Sequence, residues 1–190
     1  NNATGTSSTL TISGGTTSFA GIVKDNSSGT GTVGLTLNGG VLTLSGNNTY
    51  TGSTTVSGGT LKIGSATALG ANTSSVSITS GAVLDLNGVV MTNTNPLTIY
   101  GTGSGNGAVL NSSATPATYA GLITLGSDSS IVGGSGSIVI SNTGTIVGGS
   151  HALILGGSVG GSLASKLDTS VTGVTKSGTG SWTLSGTNTY

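Results

Sequence analysis

The chain has 190 residues, of which 37 are glycine, 4% are charged and none is cysteine, and its formal net charge is zero. Four scattered lysines cannot neutralise a row of phosphates, which argues against binding to nucleic acid and against direct binding to an anionic membrane. A hydrophobic fraction of 33% favours a folded chain with a thin apolar core over a disordered low-complexity segment.

Short clusters of Leu, Ile and Val alternate with Thr and Ser along the chain, and this period of two predicts strands with one buried face. Gly-Gly, Asn-Gly and Ser-Gly pairs separate the clusters and supply the positive φ angles that tight turns require. No helical period is sustained. In chain order the clusters lie at residues 35–37, 42–44, 61–63, 76–78, 83–86, 97–99, 122–125, 138–140 and 153–155.

Short strands at nearly regular spacing fit a sandwich, a barrel or a solenoid. Aromatic residues make up 3% of the chain, too few for the bulky core of a sandwich, whereas a narrow solenoid core stacks aliphatic and small residues. A phrase that recurs along the chain also favours a repeat architecture. We therefore predict an all-β solenoid of about eight or nine coils, with roughly 20 to 25 residues in each, forming a rod about 40 Å long.

The recurring phrase reads LTLSGNNTYTGSTTVSGGTL at residues 42–61, and its first half returns as WTLSGTNTY at residues 182–190. It resembles the autotransporter-associated β-strand repeat, which occurs in passenger domains of bacterial autotransporters. The resemblance implies a single-stranded right-handed parallel β-helix (β-solenoid), located extracellularly or on the bacterial cell surface. It also implies a scaffold that is not an enzyme and that reaches a membrane only through a separate anchor.

Residues 1–190 are expected to form one continuous solenoid segment, part of a longer repeat-containing chain. The second copy of the phrase stops at Tyr190, before its second half. Residues 1–15, NNATGTSSTLTISGG, are similar to that missing half, TGSTTVSGGTL. This similarity favours units that follow one another, in tandem or end to end, to make a filament.

Residue type and period assign roles within the phrase. Asn47 and Asn48 are expected near the left-handed conformation, with side chains that bond their own turn or form ladders between coils. Tyr50 is expected to cover a turn or the outer face. Corners are expected at Gly46, Gly52, Gly58 and Gly59. The side chains expected to point into the lumen, here and further along the chain, are Leu42, Leu44, Val56, Leu61, Ile63, Leu84, Leu86, Ile138 and Ile140.

Residues that could carry chemistry are few and scattered, and we predict no catalytic, cofactor-binding or metal-binding residue. The one histidine, His151, has no cysteine or glutamate with which to complete a zinc site. Residues 29–34 spell GxGxxG, but a strand and a turn follow instead of a helix. Residues 133–137 lack the carboxylate of a calcium-binding repeat. The aspartates lie 40 or more positions apart, although two on stacked coils could still meet: Asp25, Asp85, Asp128 and Asp168.

The leading interpretation is a structural stalk or fibre that assembles with copies of itself. The alternative is an adhesin that binds a host or cell surface, or a polysaccharide, on the same scaffold. Aromatic rings stack on sugar faces, so the candidate contact residues are Tyr100, Tyr119 and Trp182. A polysaccharide-degrading β-helix enzyme is a more distant alternative, because it would need converging carboxylates.

Overall fold

The regular secondary structure of the chain consists almost entirely of β-strands. A computed structural model describes residues 5–27 and 29–190, so residues 1–4 and 28 of the segment predicted for 1–190 lie outside the described residues. The described part contains nineteen strands and one short 3₁₀ turn, Gly103–Gly105, and none of its helical structure is long and apolar enough to cross a membrane. In chain order the strands are β1 (Ser8–Ile12), β2 (Thr16–Phe19), β3 (Val33–Leu37), β4 (Val41–Leu44), β5 (Thr54–Val56), β6 (Thr60–Ile63), β7 (Val76–Ile78), β8 (Val83–Asp85), β9 (Leu97–Gly101), β10 (Val109–Asn111), β11 (Ala117–Tyr119), β12 (Ile123–Gly133), β13 (Ile138–Ile140), β14 (Thr145–Ile146), β15 (His151–Gly156), β16 (Gly160–Leu163), β17 (Lys166–Leu167), β18 (Val171–Lys176) and β19 (Ser181–Leu184).

The strands stack into three faces that run along a common axis. Face 1 contains β1, β3, β5, β7, β9 and the first part of β12, and it continues through β14 and β17. Face 2 contains β2, β4, β6, β8, β10, the last part of β12, β15 and β18. Face 3 contains β11, β13, β16 and β19, and the bridge between Val90 and Thr118 extends it toward the earlier coils. The chain visits faces 1, 2 and 3 in turn, so each circuit is one coil of a solenoid.

The coils are joined by parallel pairing, and most hydrogen bonds between successive coils link residues 20 to 27 positions apart. Coils 1 to 8 begin at β1, β3, β5, β7, β9, β12, β14 and β17. The described residues therefore make about eight coils, which confirms the predicted all-β parallel solenoid. The right-handed sense of the coil stays a prediction.

The interior is a column of aliphatic side chains. Parallel register places each residue beside its counterpart in the next coil, so that Leu42 pairs with Leu61, and Leu61 with Leu84. The nine side chains assigned to the lumen from the sequence are each at most 2% exposed, and all belong to one hydrophobic cluster. Stacking like residues in this way removes apolar surface from water along the whole axis.

Glycine makes the corner between faces 1 and 2 in the first three coils. Gly15, Gly40 and Gly59 have φ angles of +81°, +74° and +74°. A Cβ atom on Gly40 would lie 2.0 Å from the carbonyl oxygen of Gly15, and one on Gly59 would lie 2.2 Å from that of Gly40. Conformation and space both exclude a side chain, so successive backbones can approach closely at this corner.

Candidate functional site

Two of the four aspartates bind the backbone of turns. Asp25 Oδ1 accepts a hydrogen bond from the N–H of Val33 at 2.7 Å, and its Oδ2 accepts one from the hydroxyl of Thr51 at 2.6 Å. Partial burial acts to raise the pKa of Asp25, but the bonds from Thr51 and Val33 leave it below its ordinary value. Asp168 accepts hydrogen bonds from the hydroxyl and the N–H of Ser170, which lower its pKa as well. Both carboxylates therefore hold turns in place.

The other two aspartates also accept backbone hydrogen bonds, and each lies near a basic side chain, Lys62 or His151. Asp85 Oδ2 is 3.6 Å from Nζ of Lys62. Asp128 Oδ1 is 3.8 Å from Nδ1 of His151 and accepts a hydrogen bond from the N–H of Ala152 at 2.8 Å. Over residues 5–27 and 29–190, no group of three His, Cys, Asp or Glu side chains is arranged to hold a metal ion. The GxGxxG sequence ends inside β3, a strand, and not before a helix.

The first copy of the recurring phrase places an asparagine inside the wall of the solenoid. Asn48 is 2% exposed, its Oδ1 accepts a hydrogen bond from the N–H of Val23 at 2.8 Å, and its Nδ2 donates to the carbonyl oxygen of Ala68 at 2.6 Å. The amide thus joins the coil before to the coil after. The expectation that Asn47 and Asn48 are left-handed is wrong, because the described non-glycine residues with positive φ are Asn87, Ser104 and Ser150.

The second copy repeats the bonds to the preceding coil, at the C-terminal end of the described residues. Asn188 Oδ1 accepts a hydrogen bond from the N–H of Leu167 at 2.9 Å, and the threonine after Asn188 donates its N–H to the carbonyl oxygen of Leu167 at 2.8 Å. The threonine after Asn48 donates to the carbonyl oxygen of Val23 in the same manner, at 2.9 Å. In both copies the Asn-Thr pair therefore binds the N–H and the C=O of one residue in the preceding coil.

Tyr50 lies inside the solenoid, so the expectation that it covers a turn or the outer face is wrong. It is 0% exposed, and its hydroxyl oxygen lies 2.6 Å from Oγ1 of Thr54. Burial raises the pKa of Tyr50 to about 12, against the opposing effect of the bond with Thr54. The next coil makes room for the ring at Gly70, where a Cβ atom would lie 2.9 Å from a ring carbon.

Tyr119 lies in the interior as well, and the prediction that it is a surface contact is wrong. It is 0% exposed, its hydroxyl donates to the carbonyl oxygen of Asn95 at 2.7 Å, and burial raises its pKa. A sequence signal for this position exists, because Thr-Tyr-x-Gly occurs at residues 118–121 as it does at residues 49–52. The glycine lies against the ring: a Cβ atom on Gly121 would be 2.8 Å from a ring carbon of Tyr119.

The other two aromatic candidates lie on different faces. Tyr100 lies near the end of β9 on face 1. It is 36% exposed, and its ring lies over Gly126. Trp182, in β19 on face 3, is half-buried against the core and donates from Nε1 to the carbonyl oxygen of Gly156 at 3.0 Å. The structure therefore does not combine the two rings into one platform.

Face 1 carries an outward row of hydroxyl side chains. The parallel register places one Thr or Ser beside another from coil 1 to coil 6, and at about 4.8 Å between strands the row is about 24 Å long. Tyr100 lies two residues beyond Thr98 and points to the same side of the sheet. The members of this hydroxyl row are Thr11, Thr36, Thr55, Ser77, Thr98 and Thr124.

Lumen side chains are partly uncovered at both ends of the described solenoid. In coil 1, Leu10 and Phe19 are 41% and 40% exposed, and they line a cleft of about 200 Å³ together with residues of coil 2. In coil 8, Trp182 and Leu184 are half-buried. Within the described residues, β1 and β2 pair only with β3 and β4, and β18 and β19 pair only with β15 and β16. Each end thus presents apolar side chains beside strand edges.

Comparison with known proteins identifies the recurring phrase. A family model described as the passenger-associated-transport-repeat matches residues 28–63 and 174–190. The first stretch contains β3 to β6 with Asn48 and Tyr50, and the second contains β19 with Asn188. No curated protein and no solved structure matches the chain. Each matched stretch therefore contains an asparagine, Asn48 or Asn188, whose side chain accepts a hydrogen bond from the backbone of the preceding coil.

Proposed function

Because the chain carries two stretches of the passenger-associated transport repeat, a repeat of autotransporter passengers, we propose that it is the rigid stalk of a secreted or surface-displayed bacterial protein. The repeat and the solenoid fold support a passenger-like structural segment. The observation that carries the proposal is the continuity of backbone bonding and of the aliphatic column from one coil to the next.

Stiffness follows from the way in which the coils are joined. Parallel pairing satisfies backbone N–H and C=O groups between coils, and the buried amide of Asn48 satisfies backbone groups of the two neighbouring coils. Bending the rod would separate these pairs on one side and expose the apolar column to water. A thin rod can therefore be stiff without cysteine.

We further propose that the segment is not an enzyme. Its carboxylates act as turn ligands: Asp25 and Asp168 accept hydrogen bonds from turn residues, and Asp128 binds the backbone at the start of β15. Assays of the purified chain on acidic and neutral polysaccharides should yield no cleavage products. A released oligosaccharide, absent when the aspartates are changed to asparagine, would contradict this part of the proposal.

End-to-end assembly is the second part of the proposed function. Coil 1 and coil 8 both present apolar side chains beside strand edges, so each end can cover the other. Exposed strand edges readily pair with another chain. Stacking a second copy would bury Leu10 and Phe19, and the low charge of the chain, 4%, leaves little repulsion to oppose it. The expected product is a fibre one rod wide.

Electron microscopy of the purified chain at rising concentration tests this assembly. We expect fibres of one-rod width in the parent and short single rods in Phe19→Asp, because a charge at the end of the lumen cannot be buried unpaired. The matched control is Val90→Asp, since Val90 is 60% exposed in the middle of the rod, and it should assemble like the parent. Single rods at every concentration in the parent would contradict end-to-end assembly.

A polysaccharide-binding adhesin is the second candidate, and the hydroxyl row on face 1 is the observation that favours it. Regularly spaced hydroxyls beside the exposed ring of Tyr100 fit a flat, neutral, repeating sugar chain. Binding to insoluble polysaccharides and to a glycan array tests this candidate. Binding should weaken in Tyr100→Ala and Thr98→Val but not in the face-2 control Thr43→Val, and equal binding by all three variants would exclude face 1 as the site.

A further inference from the structure

The two copies of the recurring phrase occupy different faces of the solenoid. In the first copy, β4 lies on face 2, and Asn48 follows at the position of face 3, bonded to Ala68 of the next coil. In the second copy, β19 lies on face 3, and Asn188 follows on face 1, bonded to Leu167 of β17. The phrase is therefore displaced by one face between its copies, although its hydrogen bonds to the preceding coil are the same.

The glycine corner before each copy moves with it. Gly40 lies directly before β4 at the corner of faces 1 and 2, and Gly178 lies three residues before β19 at the corner of faces 2 and 3, with φ angles of +74° and +72°. A Cβ atom on Gly178 would lie 2.6 Å from the carbonyl oxygen of Gly157, so this corner, like the one at Gly40, leaves no room for a side chain between the coils. Strand, corner and asparagine are thus shifted together.

The coil that covers the first copy has a counterpart at the start of the chain. β5 and β6 stack on β3 and β4 and are joined by Ser-Gly-Gly-Thr at residues 57–60. In coil 1, β1 and β2 are joined by the same four residues at 13–16. Gly59 and Gly15, the third residues of these turns, both have positive φ. Coil 1 therefore has the corner of a coil that covers a copy of the phrase.

We propose that, when one copy of the chain stacks on another, coil 1 of the upper copy covers coil 8 of the lower copy with a rotation of one face. β2 of the upper copy then pairs with β19 of the lower copy, as β6 pairs with β4 inside the chain, and β1 pairs with β18. Thr183 of one copy faces Ser18 of the other, in the register that places Thr43 beside Lys62. This inference rests on the end-to-end assembly proposed above.

The corners favour the rotated arrangement. With the rotation, the register of Thr183 beside Ser18 places Gly15 of the upper copy over Gly180 of the lower copy, in the corner that also contains the positive-φ Gly178. Neither Gly15 nor Gly180 has a side chain, so the two backbones can approach closely there. Without the rotation, the register of face 2 that places Thr16 beside Thr175 would place Gly15 over Val174, a residue of β18 that carries a side chain. The corner before β18, at residues 168–170, contains no glycine, and Asp168 accepts a hydrogen bond there from the hydroxyl of Ser170 at 2.6 Å.

Disulfide trapping distinguishes the two arrangements, and the natural chain has no cysteine to interfere. Equimolar Thr183→Cys and Ser18→Cys chains report the rotated register, because residues facing each other on adjacent strands lie within disulfide reach. Thr175→Cys with Thr16→Cys reports the unrotated register, in which β2 continues face 2 over β18. All four positions are exposed, so each variant should fold like the parent, which thermal unfolding verifies.

We expect the covalent dimer of the rotated pair to exceed that of the unrotated pair by at least about tenfold on a non-reducing gel, since disulfides form only over a narrow range of Cα distances. Excess dimer from the unrotated pair would overturn the rotation and leave end-to-end assembly intact. Fibres in the microscope without dimer from the rotated pair would overturn the rotation too. Single rods and no dimer from either pair would overturn both the rotation and the assembly.

Discussion

Asn48 shows how a polar side chain is used inside the solenoid wall. Its amide binds the N–H of Val23 in the preceding coil and the carbonyl oxygen of Ala68 in the following coil. Both backbone groups lie where the chain turns and where the strand ladder does not pair them. A buried amide that completes two such groups stabilises the corner, because leaving them unpaired away from water is costly.

Replacing Asn48 by Ala should therefore destabilise the solenoid by about 2 to 4 kcal/mol, since two buried backbone groups lose their partner. The measurement is the free energy of unfolding from urea titration followed by circular dichroism. Asn47→Ala is the matched control, because Asn47 is exposed and its Oδ1 accepts only a 3.2 Å bond from Thr67. Equal stability of the two variants would contradict the role assigned to Asn48.

Asn48 and Tyr50 also mark the limit of prediction from sequence at the residue scale. The alternation of Leu42 and Leu44 was enough to place both in the lumen, because period and residue type agree there. A tyrosine is usually partly exposed, and its burial depends on a glycine one coil later, Gly70. Such a pairing lies outside any local pattern, so it becomes visible only when the coils are in register.

The stacked glycines at the corner of faces 1 and 2 allow the close backbone spacing of the first three coils. At Gly59 the backbone has φ +74°, and an added Cβ atom would lie 2.2 Å from the carbonyl oxygen of Gly40. The strands on either side cannot separate to relieve this contact without breaking the ladder between β4 and β6. A side chain at this corner therefore costs both conformational strain and pairing.

Gly59→Ala is expected to lower the free energy of unfolding by at least about 2 kcal/mol, from positive φ and backbone overlap together. Gly14→Ala should change it by less than about 0.5 kcal/mol, because nothing lies within 4 Å of a Cβ atom there. Urea titration of both variants measures the difference. A Gly59→Ala chain as stable as Gly14→Ala would show that the corners of neighbouring coils are not in contact.

At the scale of elements, the aliphatic clusters predicted several strands well, among them β4, β6 and β13. Other strands carry little local signal. β16 reads Gly-Gly-Ser-Leu, and β14 and β17 have two residues each, so pairing with neighbouring coils, and not local pattern, makes them strands. The displacement of the phrase by one face was likewise hidden, because the lengths of the five intervening coils decide it.

The whole molecule is held together with very few charges, so its stability should depend on pH through a small number of carboxylates. Asp25 closes a turn near the first coil and Asp168 one in the last. Both have a pKa below the ordinary value of 3.8 in the folded chain. A carboxylate with a lowered folded pKa contributes stability above its unfolded pKa and loses that contribution as the pH falls through the folded value.

We therefore expect the melting temperature to be nearly constant from pH 7 to about pH 5 and to fall below about pH 4, where these carboxylates begin to take up protons. Thermal unfolding followed by circular dichroism at several pH values measures this. The double variant Asp25→Asn, Asp168→Asn should start lower and fall less. A fall of the same size in the double variant would assign the acid sensitivity to other groups.

The one-face displacement of the recurring phrase also determines which surfaces of the rod present the phrase to a binding partner. Ser45 and Ser185, matching residues of the two copies, are both exposed, yet they stand at different corners of the cross-section. A ligand or antibody that recognises the phrase would therefore find it on two sides of one molecule, pointing in two directions. A sugar or a tag attached at matching residues of the two copies would therefore lie on two different sides of the rod. In an undisplaced repeat, both would lie on the same side.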